Sequence, residues 1–205
     1  IGQRVGAGFP YPLQIQDIHY GVRWLKAHAA DLNGDPDALG GIGYSSGGHT
    51  LPVAAMCIDD PRYSGLHLED SSPSDARLAW IISCWPVIEP YFRYEIAKEK
   101  GNTELMEKHY MFFQGDEAMH ESTPLNVIQR GEKLTLSPAL VLHGTADDVM
   151  PIEASERFVS AYNEAGGKAG LVPFQGMGHG WAREAGLVVD ELAEIVTEFL
   201  TKQID

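Results

Sequence analysis

The feature that most constrains the fold is a glycine-rich turn over Gly40–His49, which joins an apolar segment to a segment of small residues. At its centre is Ser45, with a glycine two positions before it and another two positions after it. A serine in this setting sits on a sharp turn between a strand and a helix. We expect the two glycines, Gly43 and Gly47, to keep side chains out of the close approach between these elements.

The same turn has the G-x-S-x-G pattern of a nucleophile elbow, in which the serine hydroxyl is exposed on a strained backbone. Ser45 is therefore a candidate nucleophile. Ser46 begins the following helix, and its backbone N–H can point at a developing oxyanion. A match of this short pattern also arises by chance in roughly 5–10% of chains of this length. An ordinary flexible turn is therefore an open alternative at this point.

Composition and charge exclude several kinds of function. The chain has 205 residues, enough for one domain with a sizeable core, and no apolar run long enough to span a bilayer. Its formal net charge of −14 argues against nucleic acid and anionic membrane surfaces as partners. Neither cysteine, Cys57 or Cys84, has a metal-binding spacing, so we expect buried, reduced thiols and a cytoplasmic location.

The eight histidines do not form a metal site by spacing. No pair of them has the separation of metal ligands on one helix, and no H-E-x-x-H motif is present. We therefore predict no catalytic zinc and no other cofactor. His49 and His143 are expected to be packing or hydrogen-bonding residues.

Helical and strand-like segments alternate along the chain. Apolar spacings of three and four predict a helix within residues 12–31, and short apolar runs predict strands. The predicted strands are residues 39–44, 78–85, 139–143 and 170–174, and the further helices are 46–58, 153–165 and 187–204. The first two strands are expected to be buried, and Pro173 places the fourth at an edge. This alternation predicts an α/β fold, with a parallel sheet and helices on both faces.

One segment interrupts the alternation. Residues 88–133 are rich in aromatic residues and methionine and have an interrupted helical pattern. We interpret this segment as a lid-like helical insertion over the sheet edge.

Ligands of a parallel sheet bind at the carboxyl ends of its strands. Ser45 follows the first predicted strand, Asp147 and Asp148 follow the third, and His179 follows the fourth. Taken singly, Asp147 could cap a turn and His179 could be an ordinary loop residue. Such separate structural roles explain less easily why Ser45, Asp147 and His179 occur in this order along the chain.

This order resembles that of the α/β-hydrolase superfamily, in which Ser, Asp and His follow parallel strands in turn. Three motifs carry the resemblance: GYSSGG at 43–48, HGTADD at 143–148 and GMGHG at 176–180. The chain is most similar to small esterases of the hormone-sensitive lipase type and to prolyl-oligopeptidase-type hydrolases. The resemblance implies one α/β-hydrolase domain over residues 1–205.

The resemblance also implies a role for each residue of the motifs. Ser45 would be the nucleophile, His179 would transfer its proton to the leaving group, and Asp147 would orient and stabilise the imidazole. Asp147 matches the family motif, and Asp148 is the less favoured alternative. Trp85 and Trp181 are weaker candidates for the substrate pocket, with core packing as an equal alternative.

The chain departs from this family in one respect. Members normally have strands before the helix at Pro12, and a loop there, often His-Gly-Gly, supplies further oxyanion donors. No such motif occurs in these 205 residues. We therefore expect a fold that lacks the N-terminal strands, a first strand with an open edge, and an N-terminal segment outside this sequence.

The activity implied by the resemblance is hydrolysis of small-molecule carboxylic esters through an acyl-enzyme, without a cofactor. A peptidase or amidase of the prolyl-oligopeptidase type is an alternative, because such enzymes share these motifs. A non-catalytic binding protein on the same fold is another, because the usual oxyanion loop is absent.

Overall fold

Four parallel strands form the centre of the computed structural model, which describes residue 4 and residues 8–68, 75–183 and 186–204. The strands are β1 (Gly41–Tyr44), β2 (Ile81–Cys84), β3 (Ala139–Gly144) and β4 (Ala169–Phe174), and they lie in that order in the sheet. Each neighbouring pair is parallel. The register aligns Tyr44 with Cys84 and Cys84 with Leu142, so that the carboxyl ends of the strands lie side by side. The predicted parallel α/β architecture is confirmed.

The helices occupy the predicted parts of the chain. They are α1 (Leu13–Ala27), α2 (Ser46–Met56), α3 (Pro90–Glu99), α4 (Thr103–Phe113), α5 (Asp116–Glu121), α6 (Pro124–Gln129), α7 (Ile152–Glu164) and α8 (Leu187–Ile204). The first helix ends four residues earlier than its predicted limit, because residues 30–37 are exposed and have no apolar face to bury. The connection from α2 to β2 contains a short 3₁₀ turn at Pro61–Tyr63, and its residues 69–74 lie outside the described part. None of the described helices combines the length and hydropathy needed to cross a bilayer.

Helices cover both faces of the sheet. On one face, Ile81, Ala139 and Val141 pack in an apolar cluster with buried residues of α1, α2 and α7. On the other face, residues of β2 and β3 pack against the apolar side of α8. The strand residues are Ile82, Cys84, Leu140 and Leu142, and the helix residues are Val188, Leu192, Ile195, Val196, Phe199 and Leu200. Successive strand side chains point to opposite faces, so a short apolar strand contributes to both clusters.

The two outer strands differ from the central pair. β2 and β3 are fully buried, whereas β4 pairs with β3 alone among the described strands, which confirms the predicted edge position of Pro173. The side chains of Ile42 and Tyr44 in β1 are 43% and 55% exposed. The prediction of a buried first strand is therefore wrong, because no described strand pairs with the free side of β1. The expected open edge is confirmed.

The segment between β2 and β3 forms the helices α3 to α6. Its last helix packs against both α2 and α7, and Met119 and Val127 are completely buried. This part of the segment therefore lies on the helical layer of one face and not over the sheet edge, because its apolar residues have a core to enter. Its role as a lid stays a prediction.

Candidate active site

Ser45 sits on a strained turn between β1 and α2. Its φ of 52° and ψ of −113° lie in a part of conformational space that favours glycine. The turn is fixed to the neighbouring strand region by two hydrogen bonds. The Ser45 N–H donates to the carbonyl of Cys84 at 3.0 Å, and the Val87 N–H donates to the carbonyl of Ser45 at 3.1 Å. The strained backbone of the predicted elbow is thereby held by contacts outside the turn itself.

Two glycines permit the close packing around this turn. A Cβ at Gly43 would lie 2.3 Å from the carbonyl oxygen of Gly47, and one at Gly48 would lie 2.8 Å from the Cβ of Pro86. A Cβ at Gly47 would meet no described atom within 4 Å. The expectation for the glycines flanking Ser45 is therefore right for Gly43 and wrong for Gly47, where a side chain would enter open space. The second position at which a side chain would clash is Gly48, against Pro86.

A chain of hydrogen bonds joins Ser45, His179 and Asp147. The Ser45 Oγ lies 2.8 Å from the His179 Nε2, and the His179 Nδ1 lies 2.9 Å from the Asp147 Oδ2. Because a carboxylate only accepts hydrogen bonds, the imidazole proton belongs on Nδ1. The Nε2 is then free to accept the proton of the serine hydroxyl. The structure thus brings the three residues of the predicted site together in a geometry suited to proton transfer.

Asp147 is held by more than His179. Its side chain is fully buried, and Oδ1 accepts the N–H groups of Val149 at 2.9 Å and Met150 at 3.0 Å. Burial raises the pKa of Asp147, but hydrogen bonds from His143, His179 and the two backbone N–H groups outweigh burial and hold its pKa well below the usual value. The carboxylate is therefore ionised at neutral pH, and it caps the turn as well as orienting the imidazole.

The alternative residue Asp148 is placed differently. Its side chain is exposed, and no hydrogen bond joins its carboxylate to His179 in the described part of the chain. The geometry therefore favours Asp147 as the partner of the imidazole.

His143 contacts Asp147 from its buried side, a contact that sequence reasoning missed. The His143 Nε2 lies 3.3 Å from the Asp147 Oδ2 and 2.9 Å from the carbonyl oxygen of Met150, so this nitrogen carries a proton. Its Nδ1 lies 2.7 Å from the Ser155 Oγ. His143 therefore orients the carboxylate that orients His179. The available signal was its position four residues before Asp147 in the same motif.

The remaining predicted site residues occupy two different settings. Ser46 is the first residue of α2, so its N–H belongs to the unpaired first turn of the helix beside the serine hydroxyl. Trp85 is 4% exposed, and its ring packs against those of Tyr44 and Trp181 at 5.4 and 5.5 Å. Trp181 also packs on Phe174 at 4.1 Å. This packing favours a core role for Trp85, and a substrate contact by either tryptophan stays a prediction.

A cavity of about 300 Å³ adjoins the start of α2. Its lining consists of Ser46, His49, Val87, Pro90, Arg93, Leu105, Lys108, His109, Phe112 and Phe113. A larger groove of about 550 Å³ runs between α1 and the open edge of β1. Neither lining includes Ser45 or His179, but the smaller cavity is lined by Ser46, whose N–H is the candidate oxyanion donor. We therefore take the smaller cavity, between α2, α3 and α4, as the space most directly connected with the candidate site.

Replacing His49 with Gln is expected to make the free energy of unfolding fall less when the pH is lowered to mildly acidic values. Burial lowers the pKa of His49 to about 4, although its Nε2–H donates to the Ser122 carbonyl at 2.9 Å. In the unfolded chain the same group titrates near pH 6.5. Between these values the unfolded state binds more protons, so stability falls as the pH drops from about 6.5 to 4, by roughly 3 kcal/mol in all.

Urea unfolding at pH 7.0 and 4.5 measures this difference. The wild type should lose more stability between the two pH values than His49→Gln, whereas the exposed His67→Gln variant should behave like the wild type. Equal losses in the wild type and in His49→Gln would contradict the assignment of this acid sensitivity to His49.

Comparisons with known proteins identify a family and similar folds. The model of the BD-FAE family matches residues 1–162. Esterase LipC of Mycobacterium tuberculosis is 26% identical over 98% of this chain, and the chain spans 49% of the length of that protein. The propionate-bound esterase Est2 of Thermogutta terrifontis is 26% identical with a TM-score of 0.72, covering 98% of this chain and 70% of that one. The esterase 2 of T. terrifontis phosphoramylated by tabun is 26% identical with a TM-score of 0.68, covering 93% of this chain and 64% of that one.

Proposed function

We propose that this chain, which belongs to the BD-FAE family and has the α/β-hydrolase fold, is a serine hydrolase that cleaves carboxylic esters of small molecules. The observation that carries the proposal is the hydrogen-bonded series Ser45–His179–Asp147 at the carboxyl edge of the sheet. Similarity to esterases supports an ester as the bond that is cleaved. The chain spans about half of LipC, so the activity is proposed here and not transferred from that protein.

In the first half of the proposed reaction, the Ser45 Oγ attacks the ester carbonyl carbon while the His179 Nε2 takes its proton. The charge on the carbonyl oxygen is stabilised by the backbone N–H of Ser46. The tetrahedral species then breaks its bond to the alcohol oxygen, which receives the proton from His179. The product is an acyl-enzyme on Ser45 and a free alcohol.

In the second half, a water molecule takes the place of the alcohol. His179 removes a proton from this water, the resulting oxygen nucleophile attacks the acyl carbon, and the bond to the Ser45 Oγ breaks. The proton returns to Ser45, and the acid is released. Asp147 stays ionised throughout and stabilises the imidazolium that forms in each half, which its low pKa permits.

Two further predictions from the sequence remain part of this proposal. We assign a lid role to the helical segment at residues 88–133, because α3 and α4 supply most of the wall of the cavity beside Ser46. We also assign a reducing, cytoplasmic location, because Cys57 and Cys84 are both free and buried.

Labelling with a fluorophosphonate probe tests the proposed function directly. The probe should modify the folded chain at one serine, and digestion followed by mass spectrometry should place the label on Ser45. Labelling should disappear in Ser45→Ala and persist in Ser160→Ala, which changes an exposed serine on α7. A folded wild-type chain that stays unlabelled, or is labelled at another serine, would refute the proposal and favour a non-catalytic protein.

A further inference from the structure

The cavity beside Ser46 contains a partly buried arginine without an acceptor. Arg93, on α3, lines this cavity, and its Nε is buried with no hydrogen-bond partner in the described part of the chain. Burial lowers the pKa of Arg93, and the nearby charge of Asp147 acts in the opposite direction. A guanidinium starts from so high a pKa that it stays protonated at neutral pH. A buried, charged donor without an acceptor is uncommon in proteins and calls for a physical explanation.

The other polar groups of the cavity do not compensate this charge. Among the residues that the structure describes, no Asp or Glu lines the cavity. Lys108 is exposed, and its ammonium is already paired with the Glu104 carboxylate at 2.5 Å. The two histidines, His49 and His109, donate to backbone carbonyls, and burial lowers the pKa of each, so both are neutral at pH 7.

The remaining walls of the cavity are apolar. They consist of Val87, Pro90, Leu105, Phe112 and Phe113. A cavity with apolar walls and one guanidinium whose buried Nε has no described acceptor suits a ligand with a short apolar stem and an anionic head. Ser46 belongs both to this lining and to the turn that carries Ser45, so such a ligand could extend from the cavity to the serine hydroxyl.

We infer that the ester substrate of this chain carries an anionic oxygen group, in the simplest case a carboxylate, and that Arg93 binds it. This inference rests on the proposed function, because the ester carbonyl is assigned to Ser45. The carboxylate can belong to the acyl part or to the alcohol part of the ester, and the chemistry of recognition is the same in both. Arg93 is thus a specificity-determining residue, and it takes no part in bond making or breaking.

Two matched pairs of esters test the inference and distinguish the two parts of the substrate. The acyl pair is mono-4-nitrophenyl glutarate against 4-nitrophenyl pentanoate. The alcohol pair is 4-acetoxybenzoate against phenyl acetate. In one of the pairs, Arg93→Met should lower kcat/KM for the charged ester by about 10–100-fold, mainly through KM, because a hydrogen bond to a charged group is lost. The neutral ester should change by less than about threefold.

Two further variants make the comparison specific. Arg93→Lys should recover part of the activity towards the charged ester, because it keeps the charge but loses the planar donor geometry. Lys98→Gln removes an exposed cation from the same helix and should leave both esters unaffected. If Arg93→Met does not fold, Arg93→Lys and the preference of the wild type within each pair supply the answer.

The outcomes separate this inference from the proposed function. If neutral esters are hydrolysed but neither pair responds to Arg93, or the wild type prefers the neutral ester in both, the inference is overturned and the serine hydrolase stands. If the folded wild type hydrolyses no ester and takes no fluorophosphonate label, the proposed function fails first, and this inference fails with it.

Discussion

Ser45→Ala is expected to lower kcat for a short 4-nitrophenyl ester by about 10⁴–10⁶-fold. Without the hydroxyl no acyl-enzyme can form, and only direct attack by water remains. The His179 Nε2, which lies 2.8 Å from the Ser45 Oγ, would then have no nucleophile to deprotonate in the first half of the reaction. Steady-state kinetics of release of 4-nitrophenol measures the effect.

The matched control for this substitution is Ser160→Ala, which removes an exposed hydroxyl from α7 and should leave kcat unchanged. Circular dichroism and thermal unfolding should show that Ser45→Ala remains folded, since alanine and serine face similar strain at a φ of 52°. A folded Ser45→Ala variant with more than about 1% of wild-type kcat would remove Ser45 from the mechanism.

Asp147→Asn is expected to lower kcat by about 10⁴-fold, the size of effect seen when the aspartate of such a triad loses its charge. The carboxamide cannot stabilise the imidazolium electrostatically. If its NH₂ group faces the His179 Nδ1, it also favours the wrong tautomer, with the proton on Nε2. The measurement is again steady-state ester hydrolysis at neutral pH, where the wild-type carboxylate is ionised because its pKa is well below the usual value.

Asp148→Asn provides the control for the neighbouring carboxylate. Its side chain is exposed, so we expect kcat within about threefold of the wild type. A larger loss in Asp148→Asn than in Asp147→Asn would reverse the assignment. Because Asp147 also accepts two backbone N–H groups, the free energy of unfolding of Asp147→Asn should be measured alongside, so that a loss of active protein is not mistaken for a loss of turnover.

The meeting of Ser45, Asp147 and His179 could be predicted from the sequence for a simple geometric reason. Each residue follows a strand, and the carboxyl ends of parallel strands share one edge of the sheet. The alternation of elements gave this topology without any knowledge of side-chain packing. Their catalytic roles are a further step, which stays a prediction until the variants above are measured.

Other features depend on packing between distant segments and could not be predicted in this way. The exposure of β1 is one example, because an apolar run of four residues looks the same in an edge strand as in a central strand. The need for glycine at position 48 arises from Pro86, which follows a different strand. The unpartnered Nε of Arg93 likewise follows from how α3 packs beside α4, and a sequence pattern carries no record of that contact.

The double use of Asp147 limits how far this molecule can be improved by protein engineering. One carboxylate serves the turn after β3, through Val149 and Met150, and the imidazole of His179. Substitutions that tighten or relax this turn to gain heat tolerance will also shift the imidazole, so stability and turnover are traded against each other here. Attempts at thermostabilisation have more freedom at the exposed positions 30–37 after α1, none of which takes part in the hydrogen bonds that join Ser45, His179 and Asp147.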